Sequence, residues 1–142
     1  MHLQLISLQG VSVDTDIYEL IAPTPDGEIA VFPDHEPLVT LASPGALAVR
    51  HKKDDADHDL EYFAISGGVI EITFKGIRVL VDEAVHGEEI TEAEAQNALE
   101  RARKLKGDAK NQVELEKATQ LIDRSLVRLR VAELHRRNKR RL

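Results

Sequence analysis

The 142-residue chain has no cysteine, no tryptophan and only 4% aromatic residues. Without cysteine there is neither a disulfide framework nor a thiolate zinc site, which suits a reducing compartment. With two tyrosines and three phenylalanines, few rings are available to stack on bases or sugars. No stretch approaches the ~18 consecutive apolar residues of a membrane helix. The N-terminus lacks a basic region followed by an apolar run, so no signal peptide is expected. Catalytic signatures are missing too: there is no G-x-x-x-x-G-K phosphate loop, no G-x-G-x-x-G, no H-E-x-x-H and no G-x-S-x-G. The six histidines are scattered, none four residues from another. A metal set from His51, His58 and Asp57 is conceivable, but the acidic run 54–59 reads better as a solvated hairpin tip. Ser66 beside Gly67 and Gly68 reads as a tight turn rather than a nucleophile. No catalytic residue, cofactor or metal is expected.

What the chain does have is charge, unevenly placed. Its formal net charge is −6, yet from Leu121 onward eight Lys or Arg face two acids, a net of +6. Residues 1–120 therefore carry −12. The chain ends in HRRNKRRL, with Arg136, Arg137, Lys139, Arg140 and Arg141 in the last eight positions. Such asymmetry suits an oppositely charged partner: nucleic acid, anionic lipid or an acidic protein. A nucleic-acid binder would carry a more basic domain, and a membrane binder a larger apolar face with Trp or Phe. An acidic protein fits the tail best. The plain alternative is a solvated helix end whose cations favour the dipole.

Up to about residue 85 short apolar runs alternate with polar positions, separated by Gly and Pro: LQLISLQ, VSVDTDIYELI, EIAVF, PLVTL, ALAVRH, EYFAI, GVIEITF and IRVLVDE. Close-spaced strands of this kind predict an antiparallel β-sandwich over 1–86, with one sheet face turned to water or a partner. After Gly87 the period changes. Thr91 and Glu94 have the spacing of a capping box. Ala95, Ala98, Leu99, Ala102 and Leu105 fall on one helical face. Gly107 suits a left-handed residue closing that helix. A second helix is predicted from about Gln112 to Arg137. Leu115, Ala118, Ile122, Leu126 and Leu129 form its main stripe, and Val127, Val131 and Leu134 an offset one. The fold class is therefore α+β in two domains, the sandwich followed by an antiparallel helical hairpin over 88–142. Three alanines and two leucines remove little area from water, so shallow docking of the hairpin is expected.

One stretch is more specific. Gly27-Glu28-Ile29-Ala30-Val31-Phe32-Pro33-Asp34-His35-Glu36-Pro37-Leu38 resembles the G-E-L-G-I-x-P-G-H-x-P-L signature of the epsilon subunit of bacterial F-type ATP synthase. Ser43-Pro44-Gly45, Ile65-Ser66-Gly67-Gly68, Arg78-Val79-Leu80-Val81-Asp82 and Arg128-Leu129-Arg130-Val131-Ala132-Glu133-Leu134 follow in the family's order. The resemblance implies a ten-stranded sandwich plus two helices, in a subunit that catalyses nothing itself. It implies a rotor-stalk position between the gamma subunit and the c-subunit ring, coupling ion translocation to ATP synthesis. The location it implies is peripheral, on the cytoplasmic face of the bacterial plasma membrane, without direct membrane insertion and without nucleic acid. Glu28, Asp34 and His35 would meet the c-ring or the base of gamma. The hairpin would either fold on the sandwich or extend into the head of alpha and beta subunits and suppress ATP hydrolysis. In the extended state Arg124, Arg128, Arg130, Arg136 and Arg137 would meet an acidic segment of the beta subunits. In the docked state the same charges are expected to be screened and idle. The alternative from another class is a free-standing β-sandwich adaptor whose basic hairpin binds nucleic acid or an acidic protein.

Two departures from the family pattern matter. Asp34 and Glu36 flank His35 where the family has Gly and a small residue; Asp tolerates a left-handed turn better than most residues. Some family members bind ATP through I-D-x-x-R-A, but here the stretch is Ile90-Thr91-Glu92-Ala93-Glu94-Ala95. Thr91 stands for the Asp and Glu94 for the Arg, and Glu88, Glu89 and Glu92 add negative charge. No nucleotide binding is expected.

Overall fold

The computed structural model describes residues 1–140, so Arg141 and Leu142 lie outside the described residues. Ten strands come first: β1 (His2–Ser7), β2 (Gly10–Asp16), β3 (Glu19–Thr24), β4 (Gly27–Val31), β5 (Leu38–Ala42), β6 (Gly45–Arg50), β7 (Glu61–Ile65), β8 (Gly68–Thr73), β9 (Gly76–Val81) and β10 (Ala84–His86). Two helices follow, α1 (Glu92–Gly107) and α2 (Gln112–Arg140). The first sheet has the order β2-β1-β9-β8-β5 and the second β10-β7-β6-β3-β4. Every pairing is antiparallel except β1 with β9, which run parallel.

Period-two alternation places the core between the sheets. Leu3, Leu5, Ile70, Ile72, Ile77 and Val79 from the first sheet meet Leu20, Val31, Leu47, Val49, Phe63 and Ile65 from the second, all buried. The Ser66–Gly68 turn is a structural corner. Glu83 N–H donates to Ser66 Oγ at 2.8 Å, and Ser66 N–H donates to the Glu83 carbonyl at 3.1 Å. A Cβ at Gly68 would stand 1.9 Å from the Leu80 carbonyl oxygen, so only glycine lets β8 and β9 approach there.

The acidic run after β6 is tied down by Arg50. That side chain donates to buried Glu19 at 2.9 Å, to the Asp55 carbonyl at 2.7 Å and to Asp57 at 2.8 Å. His51 faces Glu61 at 3.2 Å and His58 faces Asp59 at 3.7 Å. The three residues weighed as metal ligands thus have separate partners.

The hairpin differs from the sequence reading in detail. Thr91 precedes α1 but its side chain makes no cap bond, so the expected capping box does not form; the exposed first-turn N–H groups are left to water. Gly107 stays helical, and Asp108 closes the helix at φ −93°, its N–H donating to the Lys104 carbonyl at 3.0 Å. The working cap is at α2. Asn111 Oδ1 accepts from Glu114 N–H at 2.9 Å, and the Glu114 carboxylate accepts from Lys110 N–H at 2.8 Å. The Asn-x-x-Glu spacing carried that signal. Ala95, Leu99 and Ala102 of α1 are buried, whereas Leu105 is exposed at its end. On α2 the buried line passes through Ala118, Ser125 and Ala132 at heptad spacing rather than through Leu126, which is exposed. Ser125 fits because its hydroxyl donates to the Leu121 carbonyl at 2.8 Å and arrives satisfied.

Candidate functional site

The two outer faces of the sandwich have different fates. Ala48 of β6 and Ala64 of β7 are buried although neither belongs to the inter-sheet core. They point outward, and α2 lies across β7 and β6 above them. Small outward residues let the helix approach closely. Val131 of α2 is fully buried, and Asn138 Nδ2 donates to the Leu60 carbonyl at 3.1 Å. Nearer the helix start, a cleft of about 330 Å³ is lined by Ser66, Glu83, Gln120, Arg124, Val127 and Arg128. Arg128 donates to Glu83 Oε1, and Arg124 Nε stands 3.5 Å from Glu83 Oε2. The expectation of idle arginines in the docked state is therefore corrected: one half-buried carboxylate of the β9–β10 connection gathers two of them.

The outer face of the first sheet has no such cover. Strand register puts Leu41, Val69, Leu80, Ile6 and Val11 in one row across all five strands. Leu41 is 60% exposed, Leu80 40% and Val11 60%. A bulge between Leu5 and Ile6 brings Val11 opposite Ile6, while Val13, two residues on, is buried opposite Leu5. The next row reads Val39, Glu71, Arg78, Gln4 and Asp14. An apolar band edged by a polar row has the anatomy of a protein interface. The sequence reading missed this band, because the register that aligns it depends on a parallel pairing and a bulge.

A third surface lies at one end of the sandwich. His35 N–H donates to the Phe32 carbonyl at 3.3 Å, closing a turn with Pro33 and Asp34 at its centre. Asp34 has φ 68°, the left-handed conformation expected of it, as the third residue of a type II turn requires. His35 Nδ1 is 2.7 Å from the Glu36 carbonyl, and the residue is half-buried beside Phe32 and Phe74. Phe32 packs edge-on against Tyr18 with ring centres 5.7 Å apart. Beside this loop Phe74, at the tip of the β8–β9 turn, is 85% exposed. Glu28 is exposed but pairs with Pro23 near the opposite end of β4. Asp34 and His35 are thus brought together and Glu28 is not.

Asp34→Gly is expected to leave stability nearly unchanged. Relief of a left-handed Asp, about 1 kcal/mol, is offset by the ~0.5–1 kcal/mol entropy cost of glycine. Asp34→Val should lower stability by about 1–2 kcal/mol, because a β-branched side chain suits this conformation worst. Urea unfolding of both variants checks the pair.

Among the remaining candidate residues, Arg136 donates to Glu92 of α1 at 3.2 Å and joins the two helices. Arg137 and Arg130 both pair within α2 with Glu133, at 2.5 and 3.9 Å. These three are exposed and lie on the hairpin itself, apart from the Glu83 cluster.

The family model for the beta-sandwich domain of the ATP synthase delta/epsilon chain matches residues 1–87. The chain belongs to this family. It is 30% identical over 136 residues to the ATP synthase epsilon chain of Chloroflexus aggregans, covering 96% of this chain and 94% of that one. It is 33% identical over 137 residues to the epsilon chain of Laribacter hongkongensis, covering 96% of each. These relatives span the hairpin as well as the sandwich, and they identify an epsilon subunit. The fold is similar to a chain in the cryo-EM structure of the Euglena gracilis mitochondrial ATP synthase, OSCP/F1/c-ring in rotational state 1. That match has a TM-score of 0.77 and 24% identity, covering 94% of this chain and 80% of that one. A chain of the Tetrahymena thermophila mitochondrial ATP synthase central stalk/c-ring matches with a TM-score of 0.60 and 12% identity, covering 93% and 96%.

In this epsilon subunit the junction before α1 is strongly acidic. Glu88 and Glu89 lie in a single 3₁₀ turn, and Glu92 opens the helix. Arg136, the cation beside this junction, is already taken by Glu92 at 3.2 Å, and Arg124 and Arg128 farther along α2 are taken by Glu83. A triphosphate there would meet repulsion on one side and occupied arginines on the other. Titration calorimetry of the full chain with ATP is expected to show no micromolar binding; a clear micromolar isotherm would contradict this.

Proposed function

We propose that the chain is a non-catalytic central-stalk subunit of ATP synthase that couples ion translocation to ATP synthesis. In this reading the bare face of the β2-β1-β9-β8-β5 sheet docks on the gamma subunit. The loop 33–37, with Asp34 and His35, and the adjoining Phe74 turn face the c-subunit ring; Glu28, at the far end of β4, is assigned to the gamma side. The observation that carries the reading is the apolar row Leu41–Val69–Leu80–Ile6–Val11, uncovered on one face while the subunit's own helix covers the other. No helix among the described residues is long and apolar enough to cross a membrane. Attachment then goes through the ring, as a peripheral subunit on the cytoplasmic face of the bacterial plasma membrane.

The hairpin is the regulatory domain of this proposal. It rests on the sandwich largely through one helix, over alanines, with ion pairs at its margin. Such an interface is weak enough to open, because alanine removes little area at ~25 cal/mol per Å². Released, the hairpin extends into the alpha–beta head and inhibits ATP hydrolysis, with Arg124, Arg128, Arg130, Arg136 and Arg137 meeting acidic beta-subunit surface. The test is ATP hydrolysis by the matching head, stripped of this subunit and reconstituted with the full chain or with residues 1–88. Both should bind gamma, and only the full chain should inhibit, less so at high salt. Binding without inhibition by either would remove the regulatory role, and failure of both to bind gamma would remove the stalk role.

A further inference from the structure

The seam between sandwich and hairpin holds two histidines that the proposed function does not use. His86 ends β10 and His135 lies on α2, with ring centres 6.2 Å apart and planes at 74°. His86 also stands edge-on to buried Phe63, ring centres 5.0 Å apart. The absence of a side chain at Gly87 makes the approach possible: a Cβ there would be 3.1 Å from His135 Cβ. We propose that the His86–His135 contact forms an acid-sensitive catch, holding the hairpin on the sandwich while the His135 ring is neutral and releasing it when that ring becomes protonated. This deepens the regulatory reading above, since it supplies a trigger for the release that reading needs.

The surroundings decide the sign. From its own helix His135 faces Lys139, a fixed cation. From β10 it faces His86, and from the turn after it Glu88. Across β7, Glu61 lies 3.6 Å from His86 Nε2 and 3.2 Å from His51 Nε2. His86 Nδ1 accepts the Glu88 N–H at 3.0 Å, so that nitrogen is unprotonated in the docked state. Burial of His135, with Lys139 and His86 next, lowers its pKa below 6.5 against the smaller opposing pull of Glu88. Detached, the ring is solvated and returns to about 6.5. The detached state therefore binds the proton more readily. The His135 contribution to docking is complete above about pH 6.5 and fades as pH falls through the lower docked value. In that window each proton taken up on release shifts the docking equilibrium by up to about tenfold per pH unit.

The chain has no cysteine, so an engineered pair labels cleanly. Lys110→Cys in the hairpin turn and Asp26→Cys in the β3–β4 turn are both exposed and can carry a fluorescent donor and acceptor on the full chain. Energy transfer is expected to change as pH falls from 7.5 to 5.5. In His135→Gln and His86→Gln the change should be lost, and in His51→Gln it should persist. A flat profile in the parent, or an unchanged profile in both seam variants, overturns the catch. Should His135→Gln detach at every pH, the titration of the His135 ring proton signals in the unsubstituted chain decides. Its midpoint must lie below 6.5 and coincide with the change in transfer; a separate midpoint overturns the proposal. The readout needs no other subunit, so its failure leaves the hydrolysis test of the regulatory role untouched.

Discussion

Replacing Leu80 by aspartate is expected to weaken binding to the gamma subunit at least ~100-fold while the sandwich stays folded. Leu80 sits in the middle strand of the bare sheet, between Val69 and Ile6 in register, and 40% of it already faces water. A carboxylate there costs the free subunit little, because it remains hydrated. In the complex it would be trapped at the centre of an apolar band without a cation in its row. Leaving a buried charge unpaired costs at least about 3 kcal/mol, a little over the ~2.8 kcal/mol that corresponds to 100-fold. Arg78→Ala, in the polar row beside it, should change affinity by less than about tenfold, as expected at an interface rim. Binding measured by surface plasmon resonance, with thermal unfolding as the folding control, separates the two. Equal effects of both substitutions would place the contact elsewhere on the sheet.

The contrast between Leu80 and the basic tip shows what could be read from the sequence. The runs EYFAI and IRVLVDE predicted strands; both form, and the structure puts Phe63, Ile65, Val79 and Val81 of them in the core. The Pro33–Pro37 loop and the positive φ of Asp34 were legible because proline and turn chemistry act locally. Features that join distant segments were not. The five-residue apolar row exists only once β1 pairs in parallel with β9 and the bulge turns Val11 outward; no local pattern encodes either. The alanines at 48 and 64 looked like ordinary strand residues, yet they are the floor on which α2 rests. The arginines were visible as charge, but their carboxylate partner lies 41 and 45 residues earlier in the chain at Glu83, and only the folded hairpin brings it close. Helix caps failed in a different way. Thr91–Glu94 had the right letters, but the exposed start of α1 leaves its N–H groups to water, while the equally local Asn111–Glu114 signal is the one realised.

Glu83→Lys is expected to move the hairpin off the sandwich and to deepen inhibition of ATP hydrolysis in the reconstituted head. Glu83 is the only acidic partner of Arg124 and Arg128 among the described salt bridges, and its side chain is 25% exposed against 36% for Arg128. Exposed ion pairs contribute ~0–1 kcal/mol, but charge reversal also replaces attraction by repulsion between three cations around one half-buried cleft. A shift of about 1–3 kcal/mol in the docking equilibrium follows, roughly five- to 150-fold toward the detached state. The same substitution frees both arginines for the beta-subunit surface that the regulatory reading assigns them, so the two effects add. Glu83→Gln should give a smaller shift in the same direction, since it removes the attraction without the repulsion. The double change Glu83→Lys with Arg128→Glu should restore docking through the reversed pair. It also removes one cation from the extended state, so inhibition should fall below that of the parent chain. If Glu83→Lys detaches the hairpin, by the fluorescence readout, yet hydrolysis is unchanged, the arginines hold the docked state and do nothing in the extended one. The basic helix would then serve the sandwich alone, and the inhibitory contact would have to lie on another face of the hairpin.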